Sequence, residues 1–173
     1  MGSSLRFAII GCGKIAPRHA AEMIKHGQLA AVCDTIPQKA AALSGEFGGR
    51  VFLDINDLLS TEKKLDVVAI CTPNGLHAEH TVISLQAGSH VLCEKPLSIS
   101  VNDAKKMIGT AAQCQRKLFV VKSTRYNPAL IELKKLIEEK KLGQLYSFQL
   151  NCFWNRPPAY YTGSWKGTEL DGG

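Results

Sequence analysis

The sequence of 173 residues lacks the features of several broad classes of protein. No apolar run approaches the roughly 20 residues that cross a membrane, and the apolar run at 5–12 is followed by charge, unlike a secretory signal peptide. The formal net charge is +6, but there is no basic stripe with interleaved aromatic residues. Much of the positive charge lies beside glutamates between 132 and 141, as on a solvated helix face. We therefore expect neither a membrane nor nucleic acid as a partner.

Cysteine and histidine usage argues against a disulfide framework and against a metal. The six cysteines lie far apart and form no C-x-x-C pair. We therefore expect small buried thiols in a protein of the reducing cytoplasm. His77 and His80 have the i, i+3 spacing of ligands on one helix face, but no third ligand is evident. We expect no metal site.

The most informative stretch is an apolar strand-like run that ends at a glycine pair and passes into a helix-like segment. Gly11, Gly13 and Ala16 have the spacing G-x-G-x-x-A of the dinucleotide-binding fingerprint. Gly11 permits a tight turn, Gly13 lets the backbone approach a pyrophosphate, and Ala16 keeps the helix close to the sheet. Free N–H groups and the positive end of the helix then face the anion. We expect a pyrophosphate over this loop, which includes Lys14 and Ile15.

An acidic residue follows at the expected distance. Asp34 ends a second strand-like run and lies close to the roughly 20 residues after Gly11 that the fingerprint requires. A carboxylate at this place accepts hydrogen bonds from a ribose 2′-hydroxyl and repels a 2′-phosphate. Residues 35–37 supply no arginine, so NAD is favoured over NADP as cofactor. The alternative is a glycine turn plus an aspartate that caps the helix before Pro37.

Strand-like and helix-like segments alternate through the first 121 residues. The predicted strands are 6–10, 29–33, 51–53, 67–71, 90–93 and 118–121. The predicted helices between them include 37–47, 77–87 and 100–116. Several strands are continuous apolar runs, as in parallel sheets buried on both faces. This alternation predicts an α/β doubly wound parallel sheet of the Rossmann type, with strand order 3-2-1-4-5-6.

The pattern changes after Val121. An amphipathic helix is predicted over 128–141, and residues 145–154 alternate apolar and polar, as in a half-exposed strand of another sheet. We expect a cofactor-binding domain over 1–124 and, over 125–173, the truncated start of an α+β substrate domain.

Polar residues follow two predicted strands at the edge where such sheets bind ligands. Thr72 and Asn74 are positioned to hydrogen-bond the nicotinamide ribose; alternatively, Asn74 caps the next helix. Lys95 follows the fifth strand, where an ammonium group can hydrogen-bond a substrate hydroxyl and stabilise the developing alkoxide. Alternatively, Lys95 is a surface lysine before a proline turn.

Four motifs together carry a family resemblance: GCGKIA at 11–16, AVCD at 31–34, CTPNGLH at 71–77 and CEKP at 93–96. In this order and spacing they resemble the glucose-fructose oxidoreductase, inositol dehydrogenase and rhizopine-catabolism oxidoreductase family. The resemblance implies NAD(P)-dependent oxidation of a sugar or cyclitol hydroxyl, with Lys95 as the catalytic lysine. It adds Pro73, His77, Glu94 and Lys95 itself to the cofactor site. It also implies a catalytic histidine in the second domain, which falls beyond residue 173, and a homo-oligomeric full-length protein.

The C-terminal third resembles those bacterial members that oxidise the 3-hydroxyl of UDP-N-acetylglucosaminuronic acid for lipopolysaccharide O-antigen synthesis. By that resemblance, cations for the carboxylate and diphosphate and aromatic rings for the sugar or uracil line the substrate site. These residues, which join Lys95, are Lys122, Arg125, Tyr160, Tyr161, Trp165 and Lys166. Alternatively, Trp165 and the tyrosines are ordinary packing residues. Two other functions stay open: a dehydrogenase of the same family for a cyclitol or another sugar, and a non-catalytic NAD(H)-binding module.

Overall fold

A computed structural model describes residues 4–162, 165, 166 and 168. Its centre is one parallel sheet of six strands in the order β3-β2-β1-β4-β5-β6. The strands are β1 (Leu5–Ile10), β2 (Gly27–Cys33), β3 (Arg50–Phe52), β4 (Val67–Ile70), β5 (His90–Cys93) and β6 (Leu118–Val120). The predicted strands and their order are confirmed.

Helices cover both faces of the sheet. They are α1 (Ala16–His26), α2 (Pro37–Phe47), α3 (Ile55–Thr61), α4 (His77–Gln86) and α5 (Val101–Gln113). A further helix, α6 (Pro128–Glu138), follows later in the chain. Alternate residues of β1 serve the two faces: Ile9 packs in a core with α1 and α2, whereas Ile10 packs in a core with α3, α4 and α5. Because both sides of each central strand are buried, these strands are continuous apolar runs.

The sequence analysis missed helix α3 of the sheet domain. It has only seven residues, too few for a clear apolar period. Its signal is Asp54, whose carboxylate accepts hydrogen bonds from the N–H groups of Asn56 and Asp57 as an N-cap. Ser100 similarly caps α5 through the N–H of Asp103, as the capping-box spacing predicts.

The described residues form two compact units, 4–121 with 165, 166 and 168, and 122–162. The second unit contains a 3-10 turn (Ser123–Tyr126), helix α6 and a second 3-10 turn (Pro158–Tyr160). The strand predicted over 145–154 is wrong: this segment has no regular structure. A strand needs a neighbour that pairs with its N–H and C=O groups, and the described part of this unit contains no strand.

Candidate functional site

The glycine loop is pressed against the end of β4. Gly11 has a φ of +90°, and a Cβ atom there would lie 2.6 Å from the carbonyl carbon and oxygen of Cys71. Its own N–H donates to the carbonyl of Cys33 at the end of β2. Only glycine meets both the backbone conformation and the close approach.

Gly13 faces outward. A Cβ atom at Gly13 would meet no protein atom within 4 Å, so nothing within the described protein requires a glycine there. The N-cap residue of α1, Ile15, supplies no side-chain cap, and the first turn of α1 holds no acidic residue. Ala16 is fully buried against the sheet, and Lys14 is exposed. The N–H groups in the first turn of α1 already donate to carbonyls of that turn or are missing at its proline. The open approach is therefore to the loop backbone at 13–15 and to the positive end of the helix, which fits the pyrophosphate of a dinucleotide.

Asp34 is fixed at the edge of this loop by two backbone donors. Its Oδ2 accepts a hydrogen bond from the N–H of Cys12 at 2.8 Å, and its Oδ1 accepts one from the N–H of Ile36 at 2.9 Å. The N-cap of α2 is Ile36, not Asp34. Each carboxylate oxygen keeps a second lone pair that can accept a hydrogen bond from a ribose hydroxyl.

A cleft of about 220 Å³ opens beside Asp34. Its wall includes several residues that the sequence analysis did not select: Leu53, Asp54, Leu76 and His80. The only feature of the sequence that could have indicated these residues is their position, because each lies just after a strand or near the start of α4. With Thr72 and Pro73, they give the cleft apolar walls and a few polar groups, as small-molecule sites have.

His80 is a neutral group in this cleft. Burial lowers its pKa below the ordinary value, and its Nδ1 lies 3.2 Å from Oγ1 of Thr72. The pKa of Asp54 is also lowered, because the N–H groups of Asp57 and Asn56 hydrogen-bond its carboxylate. Asp54 therefore carries a negative charge at neutral pH at this end of the cleft.

His77 lies under the loops. It is buried, with Nδ1 2.6 Å from the carbonyl oxygen of Pro96 and Nε2 3.0 Å from that of Thr72. Both ring nitrogens thus face the main chain, which leaves neither for a cofactor. Asn74 begins the 3-10 turn Asn74–Leu76, and the N-cap of α4 is Leu76 rather than Asn74.

Glu94 connects two distant parts of the domain. It is buried at the end of β5, and its Oε1 lies 2.8 Å from Nε2 of His19 on α1. Its Oε2 accepts a hydrogen bond from the N–H of Lys95 at 3.1 Å. Burial raises the pKa of Glu94, but these hydrogen bonds outweigh it and the net pKa is lowered. The Lys95 side chain is exposed beside this pair. His19 was missed, since 75 residues separate it from Glu94.

The expected substrate residues are divided between the two units. Lys122, Arg125, Tyr160 and Tyr161 belong to the second unit, whereas Trp165 and Lys166 belong to the first. In the second unit the two tyrosine rings meet edge to face at 5.1 Å, and the guanidinium of Arg156 lies 4.7 Å from the centre of the Tyr160 ring. In the first, the Lys166 ammonium lies 5.3 Å from the centre of the Trp165 ring. Their assembly into one substrate site stays a prediction.

Three buried thiols lie at strand ends beneath the site. Burial, followed by nearby charges, raises the pKa of Cys12 to about 12 and that of Cys33 to about 11; for Cys93 burial dominates a rise to about 11. These groups stay protonated at neutral pH, and all six cysteines are free. Within the described residues no group of three or more His, Cys, Asp or Glu side chains is placed to hold a metal ion. No described helix has the length and apolarity needed to cross a membrane.

Comparison with known proteins places these features in a family. A family model described as "Oxidoreductase family, NAD-binding Rossmann fold" (GFO_IDH_MocA) matches residues 5–122. A D-glucoside 3-dehydrogenase from Escherichia coli (strain K12) is 35% identical over 147 residues, which are 83% of this chain and 42% of that protein.

Solved structures give the same placement. The crystal structure of the WlbA dehydrogenase from Bordetella pertussis, in complex with NADH and UDP-GlcNAcA, has a TM-score of 0.94 and 34% identity, over 100% of this chain and 51% of that one. The scyllo-inositol dehydrogenase from Lactobacillus casei, with bound NAD(H) and scyllo-inositol, has a TM-score of 0.75 and 25% identity, over 82% of this chain and 43% of that one. The chain thus spans 42% to 51% of the length of these three proteins.

Proposed function

Because the chain belongs to the Gfo/Idh/MocA oxidoreductase family with an NAD-binding Rossmann fold, we propose that it binds NAD and serves the oxidation of a sugar hydroxyl. The observation that carries the cofactor proposal is the glycine loop. The protein itself requires a glycine at 11, whereas Gly13 faces open space in the loop backbone that leads into the positive end of α1. Such a loop fits a pyrophosphate at 11–15.

Asp34 supports NAD over NADP. Its carboxylate is held in place by the N–H groups of Cys12 and Ile36, so it cannot easily turn away from a 2′-phosphate. A fixed negative charge accepts hydrogen bonds from ribose hydroxyls and repels a phosphate at the same place. The adjoining cleft, with Leu53 and Leu76 in its wall, offers apolar surface for the adenine ring.

The nicotinamide half lies on the other side of the sheet's switch point, over the ends of β4 and β5. There we assign Thr72, Pro73, Asn74 and Glu94 to the cofactor, and Lys95 to the substrate hydroxyl. Bound NAD would supply the two-electron acceptor. The ammonium group of Lys95 donates a hydrogen bond to the hydroxyl oxygen and stabilises the negative charge that develops there.

For the substrate we propose UDP-N-acetylglucosaminuronic acid, oxidised at its 3-hydroxyl, as a step toward lipopolysaccharide. The support is the WlbA dehydrogenase, which is similar over the whole of this chain and holds UDP-GlcNAcA. The carboxylate and diphosphate of this UDP-sugar are anionic groups that the basic residues Lys122, Arg125 and Lys166 can bind. The free thiols fit a cytoplasmic location, and we propose that the whole protein is a homo-oligomer.

A cyclitol is the second candidate substrate. The similarity to a scyllo-inositol dehydrogenase with bound scyllo-inositol favours it. That likeness covers 82% of the chain, against 100% for the WlbA dehydrogenase. A neutral cyclitol would also leave the basic residues without an anionic group to bind.

Calorimetric titration of the NADH-loaded chain separates these substrates. The ligands are UDP-N-acetylglucosaminuronic acid, UDP-N-acetylglucosamine, UDP and scyllo-inositol. We expect the uronate to bind about tenfold more tightly than the matched sugar without the carboxylate. Equal affinities would remove the carboxylate from the proposal, and binding of scyllo-inositol alone would favour the cyclitol. NADH binding with no second ligand would favour an NAD(H)-binding module.

A further inference from the structure

We propose that His19 is a positioning residue for the nicotinamide half of the cofactor site, acting through Glu94. This inference rests on the proposed NAD function. Neither the glycine fingerprint nor the strand-end motif Glu94-Lys95-Pro96 includes His19. It is the side chain through which the helix behind the pyrophosphate loop holds the loop of the catalytic lysine.

The contacts form a short chain from one element to the other. His19 is the fourth residue of α1, and its Nε2 lies 2.8 Å from Oε1 of Glu94. The other carboxylate oxygen of Glu94 accepts the N–H of Lys95. The side chains of His19 and Glu94 are only 15% and 10% exposed, so water competes little with this hydrogen bond.

The hydrogen bonds that a buried carboxylate needs explain why His19 is required to fix Glu94. A buried carboxylate is costly unless donors satisfy it. His19 and the N–H of Lys95 supply one donor to each oxygen, which prevents Glu94 from rotating and leaves the remaining lone pairs for ribose hydroxyls. Without His19, the carboxylate of Glu94 keeps only the hydrogen bond from the N–H of Lys95. The orientations of the Glu94 side chain and of the Lys95 backbone are then no longer fixed.

The location of the pair predicts which half of the dinucleotide is affected. Asp34 and most of the cleft wall lie at the ends of β1, β2 and β3, which form the adenosine side, and the cleft reaches the loop after β4 at Thr72 and Pro73. Glu94 follows β5, beyond the switch between β1 and β4. Loss of His19 should therefore lower the affinity for a ligand that carries the nicotinamide riboside. The affinity for a ligand that consists only of adenosine diphosphate should not change.

A matched pair of variants tests this. In His19→Gln the amide nitrogen falls near the place of Nε2 and can still donate to Glu94, whereas the shorter His19→Asn cannot reach it. The affinity for NADH is measured by nicotinamide fluorescence, the affinity for ADP by calorimetry, and folding by the thermal midpoint. We expect His19→Asn to weaken NADH binding about tenfold, as for loss of a charge-assisted hydrogen bond. His19→Gln should restore most of it, and ADP affinity should stay within about twofold for both.

Two outcomes would overturn the inference: equal NADH affinity in the Gln and Asn variants, whether lowered or unchanged, or a parallel loss of ADP binding. Failure of the proposed function looks different. In that case the folded wild-type chain itself would bind neither NADH nor ADP.

Discussion

At the scale of single residues, two glycines of one loop are required for different reasons: one by the protein backbone, the other by the proposed cofactor. A methyl group on Gly11 would overlap the backbone of Cys71 at a φ of +90°, so Gly11→Ala should lower the free energy of unfolding by about 3 kcal/mol. A methyl group on Gly13 meets no protein atom within 4 Å, so Gly13→Ala should change it by less than about 1 kcal/mol.

Cofactor binding should separate the same two variants. Gly13→Ala is expected to weaken NADH binding at least about tenfold, because the added methyl occupies the approach of the pyrophosphate. Urea denaturation and NADH fluorescence titration measure the two quantities. Unchanged NADH affinity in a folded Gly13→Ala protein would contradict the placement of the pyrophosphate.

Glu94 should make stability depend on pH. Its pKa is lowered in the folded protein from an ordinary value of 4.5, so the ionised form stabilises the fold above that value. This contribution is lost as pH falls through the folded pKa. The difference in free energy of unfolding between wild type and Glu94→Gln should therefore shrink as pH falls from the ordinary value of 4.5 through the lower pKa of the folded protein. Denaturation curves at a series of pH values measure it; a difference that grows in acid would be the wrong sign.

At the scale of elements, buried parallel strands were the part most accessible to prediction. The run Val67–Ile70 is apolar because both of its faces are covered. Because this strand ends at the carboxyl edge of the sheet, Thr72 lies in the wall of the cleft. Helix α3 escaped because a seven-residue helix depends on its cap more than on periodicity. The prediction of a strand over 145–154 was wrong because alternation of apolar and polar residues indicates only which face a strand would bury. It does not supply the neighbouring strand with which the segment would have to pair.

The cap of α3 can be tested directly. Asp54→Ala removes the acceptor of two N–H groups, and should lower the thermal midpoint by about 3 °C. Asp54→Asn keeps an oxygen at the N-cap and should stay close to the wild type. Scanning calorimetry of the three proteins gives the comparison, and equal losses in both variants would point to the charge rather than the cap.

At the scale of the whole molecule, the contacts between distant parts of the chain were beyond sequence reasoning. Nothing in the pattern around His19 indicates its partner 75 residues away, because side-chain pairs across a fold leave no period in the sequence. The strand-end rule found the loops of Thr72 and Lys95, but not the buried His77 side chain that faces the main chain of both.

The second unit exposes an alternating apolar segment. Phe148 is 75% and Leu150 is 73% exposed, and unpaired apolar segments of this kind promote association. We expect the wild-type chain to self-associate as its concentration rises in sedimentation velocity, and Phe148→Lys with Leu150→Lys to reduce this. The control, Gln149→Lys with Asn151→Lys, adds the same charge at the alternate positions. Equal behaviour of the two double variants would contradict a role for the apolar side chains.

The most direct test of the NAD site is calorimetric titration of the chain with NAD and with NADP, for wild type and for Asp34→Asn. We expect NAD to bind wild type at least about tenfold more tightly than NADP, because the fixed Asp34 carboxylate repels the 2′-phosphate. Asp34→Asn should narrow that gap. If the folded wild-type chain bound neither dinucleotide, the glycine loop and Asp34 would not form the site proposed for them.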